Sequence, residues 1–452
     1  MFIEMRPRDS EIEVSVVESR LRYGTCEVGN WYAFSHGAGR EAIWAQHRLM
    51  GSEVIRIHAF DRGIPDPIKE WPTFAAYIQA VLNSGATPMV TFARSKPPFD
   101  NSYNRRWFAN RCGELVWHCI ERWGADSVRR WYWSVWTKPN SQWDNPGMTF
   151  ESYRAIYEDV AGQVVRAFGK GLEGSRPLIG GPAIDGFQPF WFDWIWRFVE
   201  EIDPALIGFV SWHRYGEWRS GGEWRSATDA RAFRSLVMSR TSEYCTMGRQ
   251  VQRVIRGRKI LNVCAELNAH AHYDETISGE FNLGAFGAAY YAASLLQLIR
   301  GGTDLELRSA GSDAPGTAFG VMDSSGRPHR VFFAKALFAS AVPRGSTLRI
   351  ASARRAGPSI DAASVERPDG TEALILVHKQ HTKTTIDLRE LGLGSPRTGF
   401  LLKLDASADD CLVTAPIDDR IALDGYGIAV AIPDIPAVLR PHVLDVAEHV
   451  GT

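Results

Sequence analysis

Residues 131–140 read Trp-Tyr-Trp-Ser-Val-Trp-Thr-Lys-Pro-Asn. The first six are mostly aromatic or β-branched, the composition of a β-strand. The run then breaks into polar residues and a proline, so the strand delivers Thr137, Lys138 and Asn140 at its carboxyl end. Seven further apolar runs of similar length lie outward from it, at residues 27–34, 54–58, 87–92, 178–181, 207–213, 260–265 and 304–307. Amphipathic stretches fall between them, among them 71–84, 113–123, 149–168 and 283–300. In 149–168 the apolar residues Tyr153, Ile156, Tyr157, Val160, Val164 and Val165 keep a period near 3.6, and Thr149 can cap the helix start. Gly301-Gly302 is a stop signal for helix 283–300. Strands alternating with helices make parallel βα units. The expected fold is therefore α/β, a (β/α)₈ TIM barrel over residues 22–340.

Beyond residue 341 the pattern changes. Short runs at 348–353, 373–378, 384–388, 399–404 and 427–432 are separated by turn residues. They predict a C-terminal β-sandwich accessory module over 341–452, joined by a strand at 11–17. A length of 452 residues suits a barrel of ~250 residues plus such a module. There is no internal repeat.

Composition narrows the function. A formal net charge of −1 gives no field for nucleic acid or an anionic membrane surface. No apolar run reaches the ~20 residues of a membrane span. The start, MFIEMRPRDSEIEV, has no apolar signal-peptide core, and the six cysteines contain no C-x-x-C pair. These features predict a cytoplasmic protein with reduced thiols. No strand–G-x-G-x-x-G–helix pattern, phosphate loop or G-x-S-x-G elbow occurs, so no nucleotide cofactor is expected. His270 and His272 beside Glu266 lack an obvious third ligand, so no metal is expected either. Many of the 16 tryptophans cluster between Trp107 and Trp224. Most suit core packing. Trp143, Trp212 and Trp218 sit beside polar loop residues and are candidate platforms for sugar rings.

The active site of such a barrel lies at the carboxyl ends of its strands. Four polar clusters fall there: Trp136-Thr-Lys-Pro-Asn140, Gly180-Gly-Pro-Ala183, Trp212-His-Arg-Tyr215 and Ala265-Glu-Leu-Asn268. The first resembles the strand-four W-N-E-P-N motif of glycoside hydrolase family 39, with Thr137 and Lys138 replacing Asn and Glu. The other three resemble that family's strand-five G-G-P-A, strand-six H-x-Y and strand-seven T-E-W-N. Ile55-Arg-Ile-His58 is similar to its strand-two segment. The likeness spans residues 25 to 340, and the β-rich tail suits the family.

The resemblance implies a retaining glycosidase or transglycosidase of β-xylosidase type acting on a glycoside or oligosaccharide, a carbohydrate substrate. Two carboxyl groups about 5–5.5 Å apart would share the work, one attacking the anomeric carbon and one exchanging protons. Glu266 aligns with the nucleophile. Lys138 stands at the acid/base position, and Thr137 where an asparagine contacts the sugar 2-hydroxyl. The resemblance places His213 and Tyr215 beside the nucleophile, and position at strand ends or in their loops adds Asn30, His58, Thr137, Asn140, Trp143, Asn268 and Arg308 as candidate substrate-binding residues, with a surface salt bridge the alternative for Arg308.

Lysine has an ordinary pKa of about 10.4 and shuttles protons poorly near neutrality. A neighbouring carboxylate would hold it charged, so a Lys138–Glu266 ion pair or hydrogen bond is expected. Three readings stay open. The acid comes from Asp144, Glu217, Glu223 or Asp313; or Lys138 binds an anionic substrate group and the leaving group needs little protonation; or hydrolysis is lost and the protein binds glycans. The sequence leaves homo-oligomer formation open.

Overall fold

A computed structural model of the chain describes residues 12–61, 63–93, 102–169, 176–218, 227–272, 279, 281–353, 360–393, 399–405, 411–437 and 439–444. Eight strands close into a barrel: β2 (Arg22–Cys26), β3 (Val54–Ala59), β4 (Thr87–Phe92), β5 (Tyr132–Val135), β6 (Leu178–Asp185), β7 (Phe209–Glu217), β8 (Leu261–His270) and β9 (Leu305–Ser309). Every neighbouring pair is parallel, and β2 pairs with β9 to complete the ring. Alternation along the strands sorts side chains between two environments. Cys26, Val54, Met89, Tyr132, Phe209, Val263 and Leu305 fill the barrel interior. Ile55, Ile57, Val90, Trp133, Val135 and Val210 face outward into the core shared with the helices.

The first strand corrects the expectation at 27–34. The strand is Arg22–Cys26, and Trp31–Ser35 is a short helix. Partly buried Trp31 and buried Phe34, three residues apart, both pack into the core from one face of it. Helix Phe150–Ala167 begins where expected, with Thr149 Oγ1 accepting the Ser152 amide at 3.2 Å. Thr149→Ala is expected to cost about 1 kcal/mol in urea denaturation. An unchanged midpoint would show that this cap contributes nothing.

β1 (Ile12–Glu18) leaves the barrel and pairs antiparallel with β10 (Thr347–Ala353), from Ile12 opposite Ala353 to Glu18 opposite Thr347. β11 (Ile360–Glu366), β12 (Glu372–His378), β17 (Ile428–Ile432), β14 (Phe400–Leu404), β15 (Leu412–Ala415) and β18 (Val443–Leu444) continue an eight-stranded sheet in the order β1-β10-β11-β12-β17-β14-β15-β18. Only its last pair is parallel among the described strands. One face, with Leu348, Ile350, Val365, Ile375 and Val430, belongs to the barrel's own core. The other, with Ala351, Leu374, Leu376 and Leu401, is covered by Ile386 and Ile421 of the two-stranded sheet β13 (Thr384–Asp387) and β16 (Arg420–Leu423). The second layer of the expected sandwich is thus, among the described residues, this one hairpin-sized sheet. The barrel helices cover the remaining face. No helix among the described residues is long and apolar enough to cross a membrane.

Candidate active site

Strand β8 decides the site. Val263 and Ala265 face the barrel interior, so simple alternation would turn Glu266 outward. Trp212 of β7 pairs with Cys264, and the next residue, His213, pairs with Glu266, so Ala265 is one residue too many. The same slip appears against β9. This bulge re-aims the strand and turns Glu266 into the hollow. The expected strand ended at Ala265; the real one continues to His270 and carries Glu266 within it.

The hollow has a volume of ≈ 550 Å³ and opens at the carboxyl ends of the strands. Cys26, His58, Asp61, Thr137, Lys138, Trp143, Asp144, Asn145, Tyr215, Glu266, Ser309 and Ser312 are among its lining residues. Both oxygens of Glu266 are engaged. Arg56, fully buried, donates from Nη1 to Oε1 at 2.6 Å, and the Tyr215 hydroxyl donates to Oε2 at 2.7 Å. His213 Nδ1 lies 3.5 Å and Lys138 Nζ 3.9 Å from Oε2. The Lys138 contact is therefore an ion pair longer than a hydrogen bond.

Burial alone would raise the Glu266 carboxyl, but His213 when protonated, the standing charges of Lys138 and Arg56, and the Tyr215 hydrogen bond hold it well below the usual carboxylate range. Burial pushes His213 well below its ordinary value, against the pull of Glu266. At neutral pH His213 is thus uncharged, and the standing cations beside Glu266 are Lys138 and Arg56.

The loop carrying Lys138 is tightly held. Lys138 N–H donates to Ala183 O at 2.8 Å, and the Asn145 amide donates to the carbonyls of Thr137 and Lys138 at 3.1 and 2.8 Å. Trp136 and Lys138 take left-handed backbone angles, φ 72° and 47°, which such residues adopt only when their surroundings enforce them. Thr137 accepts Arg56 Nη2 at 3.2 Å, tying this loop to the group that holds Glu266.

Of the expected site residues, His58, Thr137, Lys138, Trp143, Tyr215 and Glu266 line the hollow. His213 stands against Glu266. Asn30, Asn140, Asn268 and Arg308 do not line it; they are buried and brace the wall instead. Asn30 donates to Ser312, whose hydroxyl donates to the buried Glu27. Asn140 bonds both backbone groups of Asp185, at 2.7 and 2.9 Å. Asn268 holds the Ser309 carbonyl at 2.6 Å and accepts from Arg308, which also donates to Asn282 O at 3.1 Å. Such buried amides satisfy backbone groups that a curved strand end leaves unpaired.

Three of the candidate acids can be located. Asp144 lines the hollow and accepts the Ser141 hydroxyl at 2.9 Å. Glu217 is buried against Arg240 and the Trp218 amide. Asp313 accepts the amides of Phe319 and Gly320 and bonds His329. Glu223 lies outside the described residues. Trp212 is a core residue whose indole donates to Asn262, not a platform, whereas Trp143 at the rim is 81% exposed. His270 Nδ1 accepts the His272 amide, so these two histidines turn toward their own loop.

Arg56 and Asp61 escaped the sequence reading as site residues. Arg56 had a signal, a charged residue sharing the inward face of an apolar strand with Val54 and His58. Asp61 had none; it becomes a lining residue by bonding His58 Nδ1 at 2.8 Å. His58 Nε2 meets no hydrogen-bond partner among the described residues.

A closed parallel barrel with a buried, ionised carboxylate facing a sugar-sized hollow is the build of a barrel glycosidase. The sequence pattern described as Glycosyl hydrolases family 39 matches residues 71–336, more than half of the chain, and the protein belongs to that family. The chain is similar to a Beta-xylosidase from Geobacillus stearothermophilus, 34% identical over 150 residues. That match covers 33% of this chain and spans only 27% of the relative. In fold it is similar to a monomeric beta-xylosidase from Caulobacter crescentus, with a TM-score of 0.61, 14% identity, and 92% and 97% of the two chains covered. The GH39 enzyme from Xanthomonas axonopodis pv. citri gives a TM-score of 0.55 at 14% identity, covering 92% and 93%.

Proposed function

We propose that this protein is a glycoside hydrolase acting by double displacement, with Glu266 as the nucleophile. The observation that carries the reading is the state of that carboxylate: ionised, turned into the hollow by a bulge, and fixed through both oxygens by Arg56 and Tyr215. A nucleophile needs its negative charge and a fixed line of attack, and this arrangement supplies both. His213 and Tyr215 would set the approach of the sugar, with Trp143 as a stacking platform at the rim. The likeness to beta-xylosidases makes β-D-xylosides the first substrates to offer.

One observation favours a second reading, glycan binding without hydrolysis: the side chain opposite Glu266 is an ammonium and not a carboxyl. Trapping separates the two. A 2-deoxy-2-fluoro-β-D-xylosyl fluoride needs no acid to lose fluoride and is expected to esterify Glu266, read as a mass increase on its peptide. Absence of labelling by xylo-, gluco- and arabino-configured reagents, with intact glycan binding, would favour the non-catalytic protein.

A further inference from the structure

We propose that the natural substrate is a glycosyl ester, whose leaving group departs as a carboxylate anion held by Lys138. The inference rests on the reading of Glu266 as nucleophile and names what that nucleophile displaces.

The bond to be broken sets the requirement. Attack by Glu266 on the anomeric carbon sends the electron pair of the C1–O bond to the departing oxygen. An alkoxide cannot carry that pair without a proton, and a positioned acid usually accelerates such a step about 10²–10⁴-fold. Lys138, 3.9 Å from an ionised carboxylate, keeps its proton at neutral pH. An amine of ordinary pKa about 10.4 held beside a carboxylate is a poor acid for that step. It can offer a fixed positive charge where negative charge develops, which is the other way to stabilise departure.

The lining tells which anion fits. Lys138 is the one lysine or arginine among the described residues that line the hollow; Arg56 stands behind Glu266. Asp61 and Asp144 share the lining. With one ammonium set against the carboxylates of Asp61, Asp144 and Glu266, the hollow disfavours a phosphate dianion more strongly than a singly charged carboxylate. The Lys138 backbone is held by Ala183 and Asn145, so the side chain leaves the loop from a fixed point beside Glu266. Its three donor hydrogens allow one group to face Glu266 and an arriving carboxylate together.

The steps balance. Glu266 forms the new bond to C1, the C1–O bond to the acyl oxygen breaks, and the carboxylate leaves with the electron pair and no proton. Water then attacks C1 of the glycosyl-enzyme and releases Glu266. Its proton passes to the departed carboxylate still held at Lys138, giving free sugar and a carboxylic acid that ionises in solvent. No acid of alkoxide-protonating strength is needed at either step.

The test uses the full chain and the sugar configuration whose 2-fluoro reagent labels Glu266. With xylose, the probes are 1-O-benzoyl-β-D-xylopyranose and benzyl β-D-xylopyranoside, in ¹⁸O-water. The ester is expected to be cleaved with ¹⁸O in the sugar, and the benzyl glycoside at least roughly 100-fold more slowly, the scale of missing acid catalysis. Lys138→Met should slow the ester about 10²-fold, the scale of losing one electrostatic donor, while Glu266 is still labelled on prolonged incubation. Lys138→Glu should lose the ester and gain the benzyl glycoside. Labelling of Glu266 with equal rates on both probes, an ester rate unmoved by Lys138→Met, ¹⁸O in the benzoate, or faster turnover of a xylosyl phosphate would overturn the ester assignment alone. No labelling by any reagent would overturn the nucleophile reading and this inference with it.

Discussion

Glu266→Gln is expected to lower kcat/KM on an activated aryl glycoside by roughly 10⁴-fold or more, the scale of removing a covalent nucleophile. Glutamine keeps the shape and one acceptor oxygen for Arg56 or Tyr215, so the hollow survives while the attacking charge does not. The wild-type pH profile should carry a matching signature. Because Glu266 is held well below the usual carboxylate range, it stays ionised through the weakly acid region. An acid limb of kcat/KM near the ordinary carboxylate value would then belong to another group, and assigning it to Glu266 would contradict the geometry. The same depression fixes the sign for stability. A lowered carboxyl stabilises the fold above its unfolded value of 4.5, and that contribution is lost as pH falls through the lower folded value. Glu266→Gln should therefore be less stable at neutral pH, since Arg56 stays buried without its counter-charge; breaking such a pair costs about 3–5 kcal/mol when nothing replaces the partner. The double change Arg56→Met with Glu266→Gln should regain stability and remain inactive. Recovery of activity in the double variant would sink the role assigned to the carboxylate.

A large loss of stability is also expected from Lys335→Met. Lys335 comes from helix Arg330–Ala341, is fully buried, and donates to Glu306 at 2.5 Å and to Gly24 O and the Tyr291 hydroxyl at 2.9 Å. Gly24 lies on β2 and Glu306 on β9, the two strands that close the ring. The ammonium thus fastens the barrel seam. Burial lowers its pKa while Glu306 opposes that shift, as a charge kept in the core by its partner should behave. Methionine fills the volume but leaves Glu306 uncompensated, at a cost of about 3–5 kcal/mol. Changing Glu306→Gln as well should return much of that loss, because the penalty lies in the stranded charge. Denaturant midpoints of the single and double variants measure the coupling. A single variant as stable as wild type would mean that water or rearrangement reaches the seam.

Much of the fold was legible because it is local. Strand β4 and helix Phe150–Ala167 follow from apolar periodicity and a threonine cap, physics that acts over a few residues. The first strand was misplaced because Trp31 and Phe34 are aromatic, which favours a strand locally, while their spacing serves a helix once a core exists to receive them. Of the residues lining the hollow, Glu266, Lys138 and Tyr215 stand at strand ends in a recurring order and could be picked out. Asn140 and Asn268 carry the same appearance but are buried with their amides on backbone groups, since an amide at a strand end bonds backbone as readily as sugar.

By itself the sequence determined the alternation of strand and helix, the shift to a β-rich tail, and the lysine at the strand end at residue 138. Only the tertiary structure decided that Ala265 is an extra residue on β8, that Glu266 therefore faces inward, and that Arg56 and Lys138 both bear on it. The reason is one of range: periodicity acts along the chain, whereas a bulge and a charge pair exist only between strands that the closing ring brings together.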